Sequence, residues 1–329
     1  PRAHLAARQP SVLPGLDDLH RDIAEYEASA QRDADEAYWR SALDDDATVA
    51  GLEGTARSAA SSIVRVAVPL DDARAARLTA LGRDLPKTVV AIVALYMAKI
   101  TGEERVALGL PVTARRGRVA KSTPSMLSNI LPLRIDVPAN AEISDVIAHA
   151  GDVVRSAVGH QRFRVESLAG APRHAGPSVN LLPVIDEIRF GDAVGAVNIL
   201  STGPVHDLSI VLSGLSSDAA TATLQLEGDA ELHTTASLAE HADRFLAFVD
   251  RVVGCPEGLT VTGATILDED EVPLLLGQGA GETVTLDPEP VMEAFADVAR
   301  RRPDDLAVVA EDGTTTFAAL DADATRLAH

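Results

Sequence analysis

The spacing of hydrophobic residues along the chain predicts a mixed α/β fold. In residues 62–70, valines at every second position alternate with Arg65 and Ala67, which is the period of a β-strand. Asp71 is expected to cap the helix that follows. Residues 87–100 are apolar on nearly every side and predict a buried helix. Further strands are predicted at 105–112, 129–137, 178–185, 193–200, 207–212 and 221–226, and further helices at 143–158 and 238–252. Because strands and helices do not alternate regularly, the sheet is expected to be mixed and largely antiparallel.

The same pattern divides the chain into two domains joined by a linker. Residues 1–265 carry the elements named above, preceded by one or two polar helices in 16–43. Residues 266–285 contain an acidic run and several glycines, which favour a flexible, solvated linker. Residues 286–329 begin a second domain with a short amphipathic helix, a strand and a tight turn at Asp312-Gly313.

Composition and charge narrow the class of protein. The chain has 329 residues, of which 46% are hydrophobic, enough for a large core. Its net charge of -20 would repel nucleic-acid phosphates and anionic lipid headgroups, so neither is an expected partner. The longest apolar run, 89–98, is about half of the roughly 20 residues that span a bilayer, so no membrane span is expected. The single cysteine, Cys255, excludes an internal disulfide framework and predicts a cytoplasmic protein. The chain starts at Pro1 without a signal-like leader, and we expect this not to be the natural start.

Generic searches for reactive groups find little. The sequence contains no glycine-rich phosphate loop, no paired metal-ligand spacing and no serine in a nucleophile elbow, so no metal site is predicted. Its nine histidines are isolated from one another, and a structural or solvated role is favoured over catalysis for each, including His160 and His206. By themselves, these residues indicate a globular α/β protein and no particular reaction.

Four segments, taken in order, nevertheless resemble the motifs of one family, the condensation domains of nonribosomal peptide synthetases. They are residues 19–26 for Y-x-D-[FY]-A-x-[WY], 109–115 for G-x-P-V-x-x-R, 126–134 for G-x-[FL]-x-N-x-L-P-L-R, and 160–168 for H-Q-D-x-P-F-E-x-L. Residues 176–181 are similar to the strand that carries the family's tunnel asparagine, and 202–208 to a form common in siderophore-type members. The resemblance covers about 16–265, and 291–329 resemble the opening of an adenylation domain.

The resemblance implies a fold and a reaction. The fold would be a chloramphenicol-acetyltransferase-like two-layer sandwich lobe, followed by the N-terminal edge of an adenylate-forming domain. The reaction would join a carrier-bound acyl or peptidyl thioester to a carrier-bound aminoacyl amine. The implied partners are donor and acceptor peptidyl carrier proteins bearing phosphopantetheine, a missing N-terminal condensation lobe, and an adenylation domain in cis, which uses ATP and Mg when complete.

The resemblance also implies roles for individual residues. The substrate tunnel would include Asn180, Asn129, Ser128, Pro204 and Asp207. For Asn129, a structural hydrogen bond at the strand end is the favoured alternative. For Asn180, substrate contact and a structural role are more evenly balanced.

Two arginines, Arg115 and Arg134, would support the active site. Arg115 would pair with the aspartate of the family's H-H-x-x-x-D-G motif, although a role as a surface cation stays open. That motif is absent and would fall just before Pro1, so no catalytic residue is assigned to this chain.

The chain also departs from the family patterns. His160-Gln161 is followed by Arg162 and Phe163, where the pattern has Asp and then an apolar-Pro-Phe run. The arginine-asparagine pair ahead of the tunnel strand is reduced to Arg173. Two other functions stay open: a stand-alone acyltransferase of the same fold, and a non-catalytic domain that recruits a partner.

Overall fold

The computed structural model describes residues 15–43, 50–51, 54–55, 60–168, 176–182, 188–190, 193–195, 205, 207–215, 222–281, 291–310 and 313–328. These residues divide into two compact units, Pro1–Asp268 and Glu269–His329. No described helix is long and apolar enough to cross a membrane.

The first unit is built on a mixed sheet of six strands. In chain order, these strands are β3 (Ile63–Pro69), β4 (Arg105–Val112), β5 (Asn129–Asp136), β6 (Ser178–Leu182), β9 (Leu208–Ser213) and β10 (Thr223–Asp229). Their order across the sheet is β3-β10-β9-β6-β4-β5. Only β6 makes parallel pairs, with β9 and β4, and the other neighbours are antiparallel. The expected mixed, largely antiparallel sheet is therefore confirmed. Two short hairpins lie outside it, β1 (Ala50–Gly51) with β2 (Gly54–Thr55), and β7 (Ile188–Phe190) with β8 (Ala193–Gly195).

One face of this sheet is covered by helices α4 (Leu85–Thr101), α6 (Ile143–Gly159) and α7 (Thr235–Val253). The first unit also contains α1 (Leu16–Glu27), α2 (Ala30–Ala42), α3 (Asp72–Ala80) and α5 (Gly117–Ser122). Asp71 caps α3, as its position predicts, by accepting a hydrogen bond from the Arg74 backbone N–H at 2.8 Å. The central helix α4 is buried from Thr88 to Met97. Alternate strand residues, such as Leu208, Ile210 and Leu212, join it in the hydrophobic core.

The second unit contains α8 (Glu271–Gly279), α9 (Val291–Arg301), β11 (Leu306–Ala310), β12 (Gly313–Thr316) and α10 (Phe317–Ala328). The strands form an antiparallel hairpin, and Phe295 and Phe317 lie 6.2 Å apart between ring centroids. Helix α8 corrects one expectation, because residues 271–279 lie in the stretch for which the sequence predicts a flexible linker. The run of leucines at 274–276 favours a helix, and Pro273 is tolerated in the first turn. None of the α8 residues is buried.

Two strands predicted between residues 178 and 200 are described only in part. Of the strand predicted at 178–185, residues 178–182 form β6 and the rest lies outside the described residues. Of the strand predicted at 193–200, residues 193–195 form β8 and the rest lies outside the described residues. The assignment of 1–265, 266–285 and 286–329 to named domains stays a prediction.

Candidate functional site

The face of the sheet opposite the helices carries a band of polar side chains. In β9 the residues between the core leucines include Ser209, and in β10 they include Gln225 and Glu227. The register pairs Ser178 with Ser209, and Ser209 with Glu227, in one row across the sheet. Side chains on neighbouring strands in one row point to the same side, so these groups share a surface, which we call the polar face.

An ion pair between a buried carboxylate and a half-buried arginine ends this row. Arg65 on β3 is the register partner of Glu227 on β10, and its Nε donates to Glu227 Oε1 at 2.7 Å. The Gln225 amide donates to the same oxygen at 3.0 Å, and the Glu227 side chain is 0% exposed. The alternation around Arg65 locates it opposite the valines, but Glu227 lies 162 residues away and is not identified from sequence. The pair fixes the charge at this edge of the polar face.

Asn180 lies next to this row, in the middle of β6. It is half-buried and pairs in register with Val211, which pairs with Gln225. Asn180, Ser209 and Gln225 therefore lie on the same side of the sheet. Pro204, another predicted tunnel residue, lies outside the described residues.

Asp207, a predicted tunnel residue, lies directly before β9 and forms a buried pair with His233. The His233 Nε2 lies 3.1 Å from Asp207 Oδ1, and the two side chains are 0% and 4% exposed. Gly228 provides the space, because a Cβ atom there would lie 2.7 Å from Cδ2 of the His233 ring. His233 was not identified from sequence, since it stands alone and its partner comes from another strand. Among the described residues, no group of three histidine, cysteine, aspartate or glutamate side chains could hold a metal ion.

Asn129 lies on the other side of the sheet, with the core residues of β5. Its side chain is 3% exposed, and its Nδ2 donates to the carbonyls of Gln161 at 3.0 Å and Phe163 at 2.8 Å. Its Oδ1 accepts from the Ile130 backbone N–H at 3.0 Å. Its amide is thus engaged on both ends by the chain itself. Ser128, just ahead of it, is exposed and donates to the Met126 Sδ at 3.0 Å.

The two predicted support residues differ in their contacts. Arg115 donates through Nη1 to the carbonyls of Ala120 at 2.6 Å and Thr123 at 2.8 Å, and through Nη2 to that of Ser125. These bonds close the loop that contains α5. The residue just before Arg115, Ala114, has a φ of 49°, which is unusual for a residue with a Cβ. Arg134 Nη1 lies 3.4 Å from the Leu133 carbonyl oxygen.

A further polar cluster joins α1 and α2 to the end of α6. Buried Asp35 accepts from the Tyr26 hydroxyl at 2.8 Å and from Gln31 at 2.6 Å, and it lies 2.8 Å from His160 Nδ1. Burial, followed by the hydrogen bond to Asp35, raises the pKa of Tyr26 above its ordinary value, so the hydroxyl stays a donor. Tyr38 stacks on the His160 ring with 4.0 Å between centroids. These contacts give His160 a place in the packing of the first unit.

Comparison with known proteins agrees with this architecture. Residues 7–188, more than half of the chain, match the family model described as the condensation domain. The first condensation domain of the calcium-dependent antibiotic synthetase, solved with a substrate analogue, superposes with a TM-score of 0.71 at 29% identity. The match covers 81% of this chain and 61% of that one. This chain therefore belongs to the condensation-domain family, and its first unit has the chloramphenicol-acetyltransferase-like fold that the motifs implied.

Two curated synthetases are similar to the chain over most of its length. It is 29% identical over 315 residues to the isonitrile lipopeptide synthase of Streptomyces coeruleorubidus, covering 92% of this chain and 21% of that protein. It is 25% identical over 325 residues to the dimodular nonribosomal peptide synthase of Bacillus subtilis (strain 168), covering 95% and 14%. The chain thus spans about a fifth or less of these relatives.

Proposed function

We propose that the protein containing this chain forms amide bonds between two carrier-bound substrates, and that the polar face lines the tunnel in which they meet. The observation that carries this proposal is the half-buried Asn180 on a face of polar and charged side chains, on the side of the sheet away from the helices. An apolar core gains nothing from such groups, because polar groups removed from water need hydrogen-bonding partners.

The reaction fits this kind of surface. The neutral amine of the acceptor attacks the donor thioester carbonyl, a C–N bond forms, the C–S bond breaks, the amine loses a proton and the pantetheine thiol leaves. The two reactants must mainly be held close together in the correct orientation, a contribution worth about 7–11 kcal/mol in well-oriented systems. This chain would supply one wall of the tunnel, with Asn180 as a hydrogen-bonding group. A histidine of the upstream H-H-x-x-x-D-G motif would act at the reaction centre.

The partners follow from the same proposal. Donor and acceptor carrier proteins would bring phosphopantetheine arms, and an N-terminal lobe would supply the opposite wall. Residues 286–329 would open an adenylation domain that needs ATP and Mg when complete, and the likeness of 202–208 would make the domain a siderophore-type member of the family. A cytoplasmic location is proposed from the single cysteine.

The test is reconstitution with loaded carrier proteins. The intact protein is incubated with a donor carrier and an acceptor carrier, and the products on the acceptor are identified by mass spectrometry. Asn180→Ala should slow amide formation, whereas Asn140→Ala, on an exposed turn after β5, should not. If properly loaded carriers give no amide with the unaltered protein, the proposal fails and a recruitment role becomes the better account. Transfer to free amines without carriers would favour a stand-alone acyltransferase.

A further inference from the structure

Two arginines stand where the condensation-domain pattern has other residues. In H-Q-D-x-P-F-E-x-L, aligned on residues 160–168, Arg162 takes the place of the aspartate and Arg164 that of the proline. Neither change is conservative. At position 162 a cation replaces an anion, and at position 164 a flexible side chain with hydrogen-bond donors replaces the rigid proline ring, which has no donor. Each arginine has a specific partner in the fold.

Arg162 is anchored on helix α1. Its Nη2 donates to the Asp22 carbonyl at 3.1 Å and to Asp22 Oδ2 at 3.0 Å. The guanidinium carbon lies 4.3 Å from the centroid of the Tyr26 ring, a distance at which cation and ring attract each other. An aspartate at position 162 would instead face the Asp22 carboxylate. The substitution therefore matches the acidic residue opposite it.

Arg164 reaches in the other direction, to the residues just ahead of β5. Its Nη1 donates to the Ser128 carbonyl at 2.7 Å, and its Nη2 lies 3.5 Å from the Leu127 carbonyl. The Asn129 amide returns two bonds to the carbonyls of Gln161 and Phe163. Residues 127–129 and 161–164 are therefore tied from both sides, and proline at position 164 could supply none of the arginine's bonds.

We propose that Arg164 is a positioning residue for Ser128, and that Arg162 anchors the segment 161–164 to α1. This inference rests on the proposed function and on the place in the tunnel wall that the family resemblance implies for Ser128. Ser128 is exposed, so its place is set by the carbonyls on either side of it instead of by burial of its own side chain. A wall residue displaced by about 1 Å can cost on the order of a hundredfold in rate.

The test compares Arg164→Ala with Arg155→Ala in the intact protein. Arg155 is a matched control, because it is an exposed arginine on the neighbouring helix α6 whose Nη1 pairs with Asp152 one turn away. Hydrogen exchange of the amides at 127–130 reports the position of the wall without any turnover. Condensation is measured with a carrier-bound donor and an aminoacyl acceptor carrier at varied concentration, which gives kcat and KM for the acceptor separately.

We expect Arg164→Ala to accelerate exchange at 127–130 and to lower kcat/KM about tenfold or more, as a misplaced wall should. Arg155→Ala should change neither, and Arg164→Lys, which keeps the charge and one donor nitrogen, should recover part of the loss. In a Ser128→Ala background, Arg164→Ala should have little further effect on kcat/KM.

Three results would overturn the inference: exchange at 127–130 like that of Arg155→Ala, faster exchange with an unchanged rate, or losses at the two positions that simply multiply. An unaltered protein that forms no amide refutes the proposed function instead, and exchange at 127–130 still decides whether Arg164 holds this segment.

Discussion

Substitution of Asn129 separates the two interpretations of this residue most sharply. Its side chain makes three hydrogen bonds to backbone groups and is 3% exposed. At about 0.5–1.5 kcal/mol of net stability for each bond, Asn129→Ala should cost about 1.5–4.5 kcal/mol. Asn129→Asp should cost more, because the new carboxylate would face the carbonyl oxygens of Gln161 and Phe163 without a donor to offer them.

This second variant also has a pH signature. The buried carboxylate would have a folded-state pKa above its unfolded value, so Asn129→Asp should be least stable at neutral pH and should regain stability as pH falls and the carboxyl becomes protonated. Melting temperature is measured by circular dichroism between pH 5 and 8 on the intact condensation domain, with exposed Asn140→Asp as the control.

The measurement distinguishes structure from substrate contact. Under the structural interpretation, both Asn129 variants lose stability. Their condensation rates, corrected for the fraction of folded protein, fall by no more than the roughly hundredfold that a wall residue displaced by about 1 Å can cost. An Asn129→Ala protein that melts like the unaltered one but condenses far more slowly would refute the structural interpretation. It would assign Asn129 to substrate contact.

Three further predictions concern charged groups of the first unit. Arg115→Ala should lower the free energy of unfolding by about 3–5 kcal/mol, because three carbonyls lose a charged donor, and Arg115→Lys should recover part of that loss. Both effects are measured as changes in melting temperature, and an unchanged melting temperature for Arg115→Ala would contradict the loop-closing role. Arg65→Met should lower the free energy of unfolding by about 3–5 kcal/mol, because it leaves Glu227 without this partner. Changing both Arg65 and Glu227 to Met should recover most of that loss in a double-mutant cycle, and simple additivity of the two single changes would refute the coupling. Burial would raise the pKa of Asp250, but the hydrogen bond from Arg74 and the charge of that arginine lower it overall. The stability that this pair contributes is therefore lost as pH falls below about 4. Asp250→Asn should flatten the acid limb of the unfolding curve, and an unaltered acid limb would contradict the prediction.

Local patterns predicted the scaffold well and its polar contacts poorly. The strands at 105–112 and 129–136 and the Asp71 cap follow from alternation and capping, which are properties of neighbouring residues. Helix α8 was missed because acidic residues and glycines were given more weight than the leucines between them.

Long-range pairs lie beyond such reasoning. Arg65 and Glu227 meet because β3 and β10 are neighbours in the sheet, and Asp35 meets His160 across 125 residues of sequence. Nothing near either residue specifies its partner. The departures from the family pattern at Arg162 and Arg164 were visible in the sequence, but their contacts with Asp22 and Ser128 required the structure.

The central claim is that the polar face lines a tunnel reached by a carrier-bound arm, and a cross-linking measurement tests it most directly. Asn180→Cys is placed in the intact protein and incubated with a carrier protein bearing bromoacetyl-pantetheine, whose arm alkylates a thiol within reach and releases bromide. Peptide mapping by mass spectrometry should find the thioether at position 180, and not in an Asn140→Cys control on the exposed turn after β5. Equal labelling at both positions, or labelling at 140 alone, would contradict the account.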